Sequence, residues 1–405
     1  MVRQLAEDHA GRIRVEDPRD QGGGTGPPLA GLFIPFARLG LTAFGGPAMI
    51  PYIRRMVVEQ KRWVSEQAFR QGLALSQSMP GATALQICAY VGVRTRGLAG
   101  AAVSFVGFGL PAFLLMLVLS ALYAQAFDLH VVVSIFSGLQ AVIVAIIANA
   151  ALLFGRDYLK RWRDGAIAGL AGIAFGFGIN PFLVVLSAAA LGILVYRGEH
   201  LPRPAAEEGL YYPVRSLLLL LAGTLAGFAL LYAFLRPMFD LAVVMFGIGL
   251  FAYGGGFGAA PLLYHQVVDV QHWMSGSTFL NGVTLSQITP GPILVTSTFV
   301  GYLLYGLVGA TIATVAIFLP SFLLMVAAAP YFPRLIGLPY FVEAIRGILV
   351  SFVGLLLSVT VTFALQVTWD IPHLLLAIAA FVALFLKVEI LWVVLAAAIV
   401  SALVM

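Results

Sequence analysis

The chain has 405 residues, 61% of them hydrophobic and 10% charged, with a net charge of +5. A soluble domain carries roughly 25% charged residues, so a water-soluble fold is excluded. Nucleic-acid binding is excluded as the reason for the positive charge, because the basic residues sit at the ends of apolar segments, where cytoplasmic loops of membrane proteins collect Lys and Arg.

Residues 1–29 are polar, of mixed charge, and end in Gly22-Gly23-Gly24-Thr25-Gly26-Pro27-Pro28. They lack the apolar core of a signal peptide and read as a disordered cytoplasmic tail. From Ala30 onward, apolar stretches such as 98–126, 131–154 and 341–365 are long enough to cross a hydrocarbon core of about 30 Å. Residues 30–197 form an N-terminal transporter repeat, 198–239 a linker with one transmembrane helix, and 240–405 a C-terminal repeat. The duplication is visible residue by residue. Phe44-Gly45-Gly46 matches Tyr253-Gly254-Gly255, Val57-Val58-Glu59 matches Val267-Val268-Asp269, and Trp63 matches Trp273. Leu75-Ser76-Gln77 matches Leu285-Ser286-Gln287, Pro80-Gly81 matches Pro290-Gly291, and Leu110-Pro111 matches Leu319-Pro320. Shared apolar composition does not align Trp, Ser-Gln and Pro-Gly in register.

Charge sets the relative orientation of the copies. The half-one loop Arg54-Arg55-Met56-Val57-Val58-Glu59-Gln60-Lys61-Arg62 corresponds to Tyr264-His265-Gln266-Val267-Val268-Asp269-Val270-Gln271-His272, which has lost every Lys and Arg. Corresponding loops with opposite Lys/Arg load face opposite sides. The fold class is therefore an all-α integral membrane protein of two inverted homologous halves, with broken or re-entrant helices, joined by a linking transmembrane helix. The expected topology is multi-pass in the cell inner membrane, N-terminus cytoplasmic and C-terminus outside. Segments 30–59 and 66–94 are expected as re-entrant hairpins, and full spans at 164–180, 182–197, 372–386 and 389–405, among others.

Broken helices at matching places in two halves point to a transport site, because a half-helix that starts at the break aims N–H groups and partial positive charge into the protein. Four such breaks occur: Gly45-Gly46-Pro47 after Phe44, Pro80-Gly81, Gly254-Gly255-Gly256, and Pro290-Gly291-Pro292. For one break, the ordinary abundance of Gly and Pro in membrane helices is explanation enough; for four symmetric ones, a substrate pathway is the better reading. Ser76, Gln77 and Thr83 in half one, and Ser286, Gln287 and Thr289 in half two, are candidate donors to an oxyanion; for any single Ser or Thr, interhelical bonding is the simpler role. Arg38 is an intramembrane charge whose repeat partner is Gly247, so it is a pathway residue or a snorkelling one. Glu59 and Asp269 are matched acids, read as a proton relay or, with more weight, as helix caps. No metal site, cofactor site or enzyme motif is found: there is no H-E-x-x-H, G-x-S-x-G or P-loop.

The run Phe36 to Pro47 and the segment Gln71-Gly72-Leu73-Ala74-Leu75-Ser76-Gln77-Ser78-Met79-Pro80-Gly81 resemble the N-terminal signatures of the chromate ion transporter family; Phe251 to Gly256 and Gln287 to Pro292 resemble its C-terminal copies. The resemblance covers Ala30 to the C-terminus, in the long-chain, two-domain form. It implies chromate efflux and chromate resistance, with antiparallel halves. One departure stands out: the family's first Pro-Gly motif usually continues with a second proline, and here Ala82 follows Gly81. The expected activity is secondary export of chromate by alternating access. A sulfate or other oxyanion transporter, an uncoupled anion channel and a binding membrane protein stand as alternatives. The expected partners are the oxyanion and the lipid bilayer, without nucleic acid; the sequence leaves a homodimer open.

Overall fold

The computed structural model describes residues 27–42, 49–126, 130–197, 214–253, 258–331 and 338–404. The expected tail up to residue 26, and the breaks at Phe44-Gly45-Gly46-Pro47 and Gly254-Gly255-Gly256, lie outside the described residues.

Half one consists of α1 (Leu29–Thr42), α2 (Met49–Arg54) widening into a π turn at Arg55–Gln60, α3 (Glu66–Gln77), α4 (Thr83–Ala126), α5 (His130–Tyr158), α6 (Trp162–Gly176) and α7 (Pro181–Val195). Helix α8 (Val214–Phe234) stands between the halves. Half two repeats the order with α9 (Arg236–Phe251), α10 (Ala259–Tyr264) and a π turn at His265–Val270, α11 (Gly276–Ile288), α12 (Thr296–Ala328), α13 (Pro339–Gln366), α14 (Ile371–Phe385) and α15 (Ile390–Val404). Among the described residues every regular element is helical, as hydrocarbon demands of backbone that cannot hydrogen-bond to water.

The duplication reaches down to single backbone angles. Positive φ recurs in matched pairs: Arg62 at 51° and His272 at 52°, Gly97 at 61° and Gly306 at 60°, Gly81 at 123° and Gly291 at 138°. A left-handed non-glycine residue costs about 1 kcal/mol. Its recurrence at Arg62 and His272, whose side chains differ, shows that the surrounding fold imposes the angle.

Helix α4 is folded in two at Arg96 (φ −142°) and Gly97, and α12 repeats the fold at Tyr305 (φ −140°) and Gly306. The arms on either side touch backbone to backbone: a Cβ on Gly92 would overlap the Gly100 carbonyl, and one on Gly301 the Gly309 carbonyl. The first arm of α4, residues 83–95, returns alongside α3, where Gly72 lies flat against the Tyr90 ring and, in half two, Gly282 against Phe299. With 12 residues, α3 rises only about 18 Å. The 66–94 and 276–303 segments are therefore helical hairpins, each continued past a kink by the longer arm of α4 or α12.

The long helices cross over between halves. Helix α13 packs on α6 and α7 of half one, while α5 packs on α14 and α15 of half two. Glycines bring these helices together: a Cβ on Gly354 would overlap the Ala168 carbonyl, and one on Gly347 the Ala188 carbonyl. Two equivalent polar contacts fix the relation of the halves. Arg346 Nη2 on α13 meets Asp164 Oδ1 on α6 at 3.3 Å, and at the matching positions Ser137 Oγ on α5 meets His373 Nε2 on α14 at 2.9 Å. Arg346 lies near the start of α13, whereas His373 follows its end, a helical rise of roughly 30 Å away. Equivalent contacts at opposite ends of the bundle are the mark of an inverted repeat.

One expectation is modified. The anticipated full spans at 164–180, 182–197, 372–386 and 389–405 are helices of 15 residues, a rise of only about 22 Å. Gly178, at φ 79°, and the Asn180-Pro181 cap end one helix and start the next. Helix α8, with 21 residues, is long enough to cross, and 0% of its apolar window is buried.

Gly354→Leu is expected to lower stability in detergent by about 3 kcal/mol or more, since the side chain would meet backbone rather than a movable side chain. Gly169→Leu, where a Cβ meets nothing within 4 Å, is expected to leave the thermal midpoint unchanged.

Candidate transport site

The hairpins are anchored at their bases. Ser65 Oγ accepts from Ala68 N–H at 3.0 Å and Ser275 Oγ from Thr278 N–H at 3.1 Å, capping α3 and α11. Glu59 and Asp269 do not hold these caps. Glu59 pairs with Arg54 at 2.7 Å and Asp269 with His265 at 3.5 Å. Arg54 also donates to Glu66 at 2.9 Å, and this hydrogen bond holds the Glu66 carboxyl below its ordinary range. The matched acids are thus paired with neighbouring bases at the hairpin bases.

At the tip of the first hairpin, Gly81 N–H donates to the Ala252 carbonyl at 2.8 Å. Ala252 follows the end of α9, so the first Pro-Gly break is bonded across the halves. The next N–H, on Ala82, donates to Ser321 Oγ at 3.2 Å. Gln86 Nε2 donates to the Pro80 carbonyl at 2.7 Å. A Cβ on Gly81 would overlap Ser321 Oγ, and a Cβ on Gly291 would come within 2.8 Å of Ala112 Cβ. Ser321 follows Pro320 inside α12, and Ala112 follows Pro111 inside α4. Each break therefore rests against the proline-bearing span of the opposite half, at equivalent positions.

This crossed arrangement explains the departure at Ala82. In half one, position 82 has an N–H, and Ser321 supplies its acceptor. In half two, the equivalent residue is Pro292, which has no N–H, and the equivalent of Ser321 is Ala112, which has no acceptor side chain. The two sites are complementary within each contact and different between them.

The remaining candidates are distributed unequally. Ser76, Ser286, Thr289 and Pro290 are buried, Gln287, Gly291 and Thr83 half-buried, and Gln77 exposed. Ser76 Oγ donates to the Leu73 carbonyl at 2.9 Å, Ser286 Oγ to Val283 at 2.6 Å, and Thr289 Oγ1 to Ser286 at 2.9 Å. These protons bond the helix's own backbone; redirecting one to a ligand gives up a bond worth about 1 kcal/mol. Gln287 Nε2 lies 3.4 Å from Ser286 Oγ. Arg38 is exposed on the face of α1 opposite the buried Leu32, Phe36 and Gly40, pointing away from α4. Ala112, Ala252 and Ser321 complete the breaks and were not singled out from sequence; the signal was the aligned Leu110-Pro111 and Leu319-Pro320 pairs. Among the described residues no cluster of His, Cys, Asp and Glu suited to a metal ion occurs.

A family model described as chromate transporter matches residues 30–193 and again 239–402. The chain belongs to the chromate transporter family. Its two matches coincide with the inverted halves and leave out α8. The chain is 38% identical over 375 residues to an uncharacterised transporter of Methanocaldococcus jannaschii, covering 91% of this chain and 92% of that one. It is 32% identical over 361 residues to a chromate transport protein of Cupriavidus metallidurans, covering 89% and 88%, and 32% identical over 370 residues to one of Pseudomonas aeruginosa, covering 87% and 85%. No solved structure matches the chain.

Ser321→Ala is expected to cost about 1–3 kcal/mol by stranding the buried Ala82 N–H. Adding Ala82→Pro copies the half-two pair and is expected to restore most of that loss; a double-mutant cycle on thermal or denaturant unfolding measures the coupling.

Proposed function

We propose that this chain is a secondary transporter that exports chromate from the cytoplasm by alternating access around the four breaks. The observation that supports the proposal is the crossed seating of the two Pro-Gly breaks, at Gly81 and Gly291, on the opposite half's proline-bearing span. Neither half can tilt without moving the other half's break, which is the coupling alternating access needs. The family relation, with relatives named as chromate transport proteins, supports the substrate. Gln77 and Gln287, the hydroxyls of Ser76, Ser286 and Thr289, and half-helix N-termini such as that at Thr83 are neutral partners suited to a tetrahedral dianion, which they bind without a trapping countercharge. The basic residues Arg156, Lys160, Arg161 and Arg163 mark the Asp164 end as cytoplasmic; the N-terminus then lies inside and the C-terminus outside, in an inner membrane. An inside-negative potential drives two negative charges outward with a gain of about 4.6 kcal/mol per 100 mV, so export proceeds without ATP.

Vesicles of known orientation loaded with radiolabelled chromate test the reading. Outward flux is expected to follow an applied inside-negative potential, and Gly81→Ala, which places a methyl on Ser321 Oγ at a φ of 123°, is expected to lower it by about tenfold or more. Flux that is unchanged in Gly81→Ala removes the break from the pathway; sulfate moving faster than chromate in the same vesicles overturns the substrate.

A further inference from the structure

The two polar contacts that relate the halves are equivalent in position and opposite in chemistry. At one end, the fully buried Asp164 takes Arg346 at 3.3 Å, Tyr196 Oη at 2.7 Å and the Lys160 and Arg161 N–H groups, both at 2.9 Å. The Arg346 guanidinium also stacks 4.0 Å from the Tyr196 ring centroid. At the other end stands His373, 5% exposed. Its Nε2 faces Ser137 Oγ at 2.9 Å and its Nδ1 faces Asp370 Oδ1 at 2.6 Å. The same Asp370 oxygen caps α14 by accepting His373 N–H at 2.9 Å.

Among the described residues of α5, α13 and α15, the charged side chains lie away from this imidazole. On α5, Arg156 and Asp157 lie at the far end, with Arg156 stacked 5.1 Å from the Phe385 ring at the far end of α14; His130 lies two turns before Ser137. Helix α15 carries no charged residue, and the two on α13, Glu343 and Arg346, lie at its opposite end. Asp370, with 60% of its side chain exposed, connects the buried ring to water. The order Ser, His, Asp follows that of a hydrolytic triad, but the equivalent place in the other half holds an ion pair, so the position serves to tie helices together.

Resting on the transporter reading above, we propose that Ser137, His373 and Asp370 form a proton-binding site that tightens the outer tie between the halves and so makes transport respond to pH on the outer side. Imidazole changes charge between about pH 5 and 8. The neutral ring donates from Nδ1 to Asp370 and accepts the Ser137 hydroxyl. The protonated ring donates from both nitrogens, and its bond to Asp370 becomes charge-assisted. The proton enters through Asp370. Since α5 belongs to half one and α14 to half two, the proton strengthens a contact that must part for the outer end to open. The Asp164–Arg346 tie at the cytoplasmic end contains no imidazole.

Two measurements test this on the full-length protein. Hydrogen exchange, corrected for intrinsic rates, reads the tie without substrate: peptides at the starts of α5 and α14 are expected to gain protection between about pH 8 and about pH 5.5 in the wild type and not in His373→Gln. In vesicles, outward chromate flux is expected to fall several-fold over the same range of outside pH, and to become flat in His373→Gln. The double variant Ser137→Arg with His373→Asp copies the Asp164–Arg346 pair; it is expected to fold, transport and show no pH response, which separates loss of the proton site from loss of structure. Protection with no pH dependence in the wild type, or His373→Gln that keeps the wild-type dependence in either measurement, overturns the proton site. If no chromate moves at any pH while the exchange difference persists, the substrate reading fails and the proton site stands.

Discussion

Hydrocarbon offers no hydrogen bond to a backbone that leaves its helix, and the Pro-Gly break of half one is closed by half two. Gly81 N–H finds the Ala252 carbonyl and Ala82 N–H the Ser321 hydroxyl, both in half two. On the other side, Gly291 rests on Ala112 of half one. An N–H left without these partners at that depth costs several kcal/mol. The breaks therefore exist only in the assembled pair of halves, and the centre of the molecule is jointly owned. Everything else in the fold is arranged to bring those two tips to the two proline-bearing spans.

Glycine makes that arrangement possible. Between membrane helices there is no hydrophobic drive, since lipid is as apolar as leucine, so contact has to come from close packing. The two arms of α4 meet at Gly92 with Gly100 and those of α12 at Gly301 with Gly309, and the exchanged helices meet at Gly172 with Gly354 and Gly192 with Gly347. The exchange of α5 and α13 between halves makes the outer scaffold as interlocked as the centre. The starts of α13 and α5 carry the two polar ties.

Pseudo-symmetry of the backbone coexists with asymmetry of chemistry. Matched positions adopt matching φ even where residues differ, yet Ala82 with Ser321 stands opposite Pro292 with Ala112, and Asp164 with Arg346 opposite His373 with Ser137. An inverted repeat with identical chemistry at both ends would have no intrinsic preference for one direction. The differences at equivalent points of the two halves leave the shared fold undisturbed.

Much of this was legible in the linear sequence. Hydropathy gave a membrane protein because burying so much apolar surface needs lipid around it; the register of Trp, Ser-Gln and Pro-Gly gave the duplication; the Lys and Arg missing from the second loop gave the inversion, because charge follows the side of the membrane. The matched Pro-Gly breaks marked where the two halves meet. The sequence could not say that α6, α7, α14 and α15 are only 15 residues long, since apolar length does not report where a cap and a positive-φ residue cut a helix. It also could not say what touches each break. Ser321, Ala112 and Ala252 are ordinary residues in apolar helices, and their role comes from a contact between segments far apart in the chain. The reason Ala82 replaces proline was likewise invisible, because an N–H is harmless or costly according to the acceptor opposite it. The sequence by itself determined the solvent, the repeat and its orientation, which are sums over many residues. Tertiary structure alone decided which group completes which break and which tie carries a titratable ring, because those depend on single atoms meeting across the two halves.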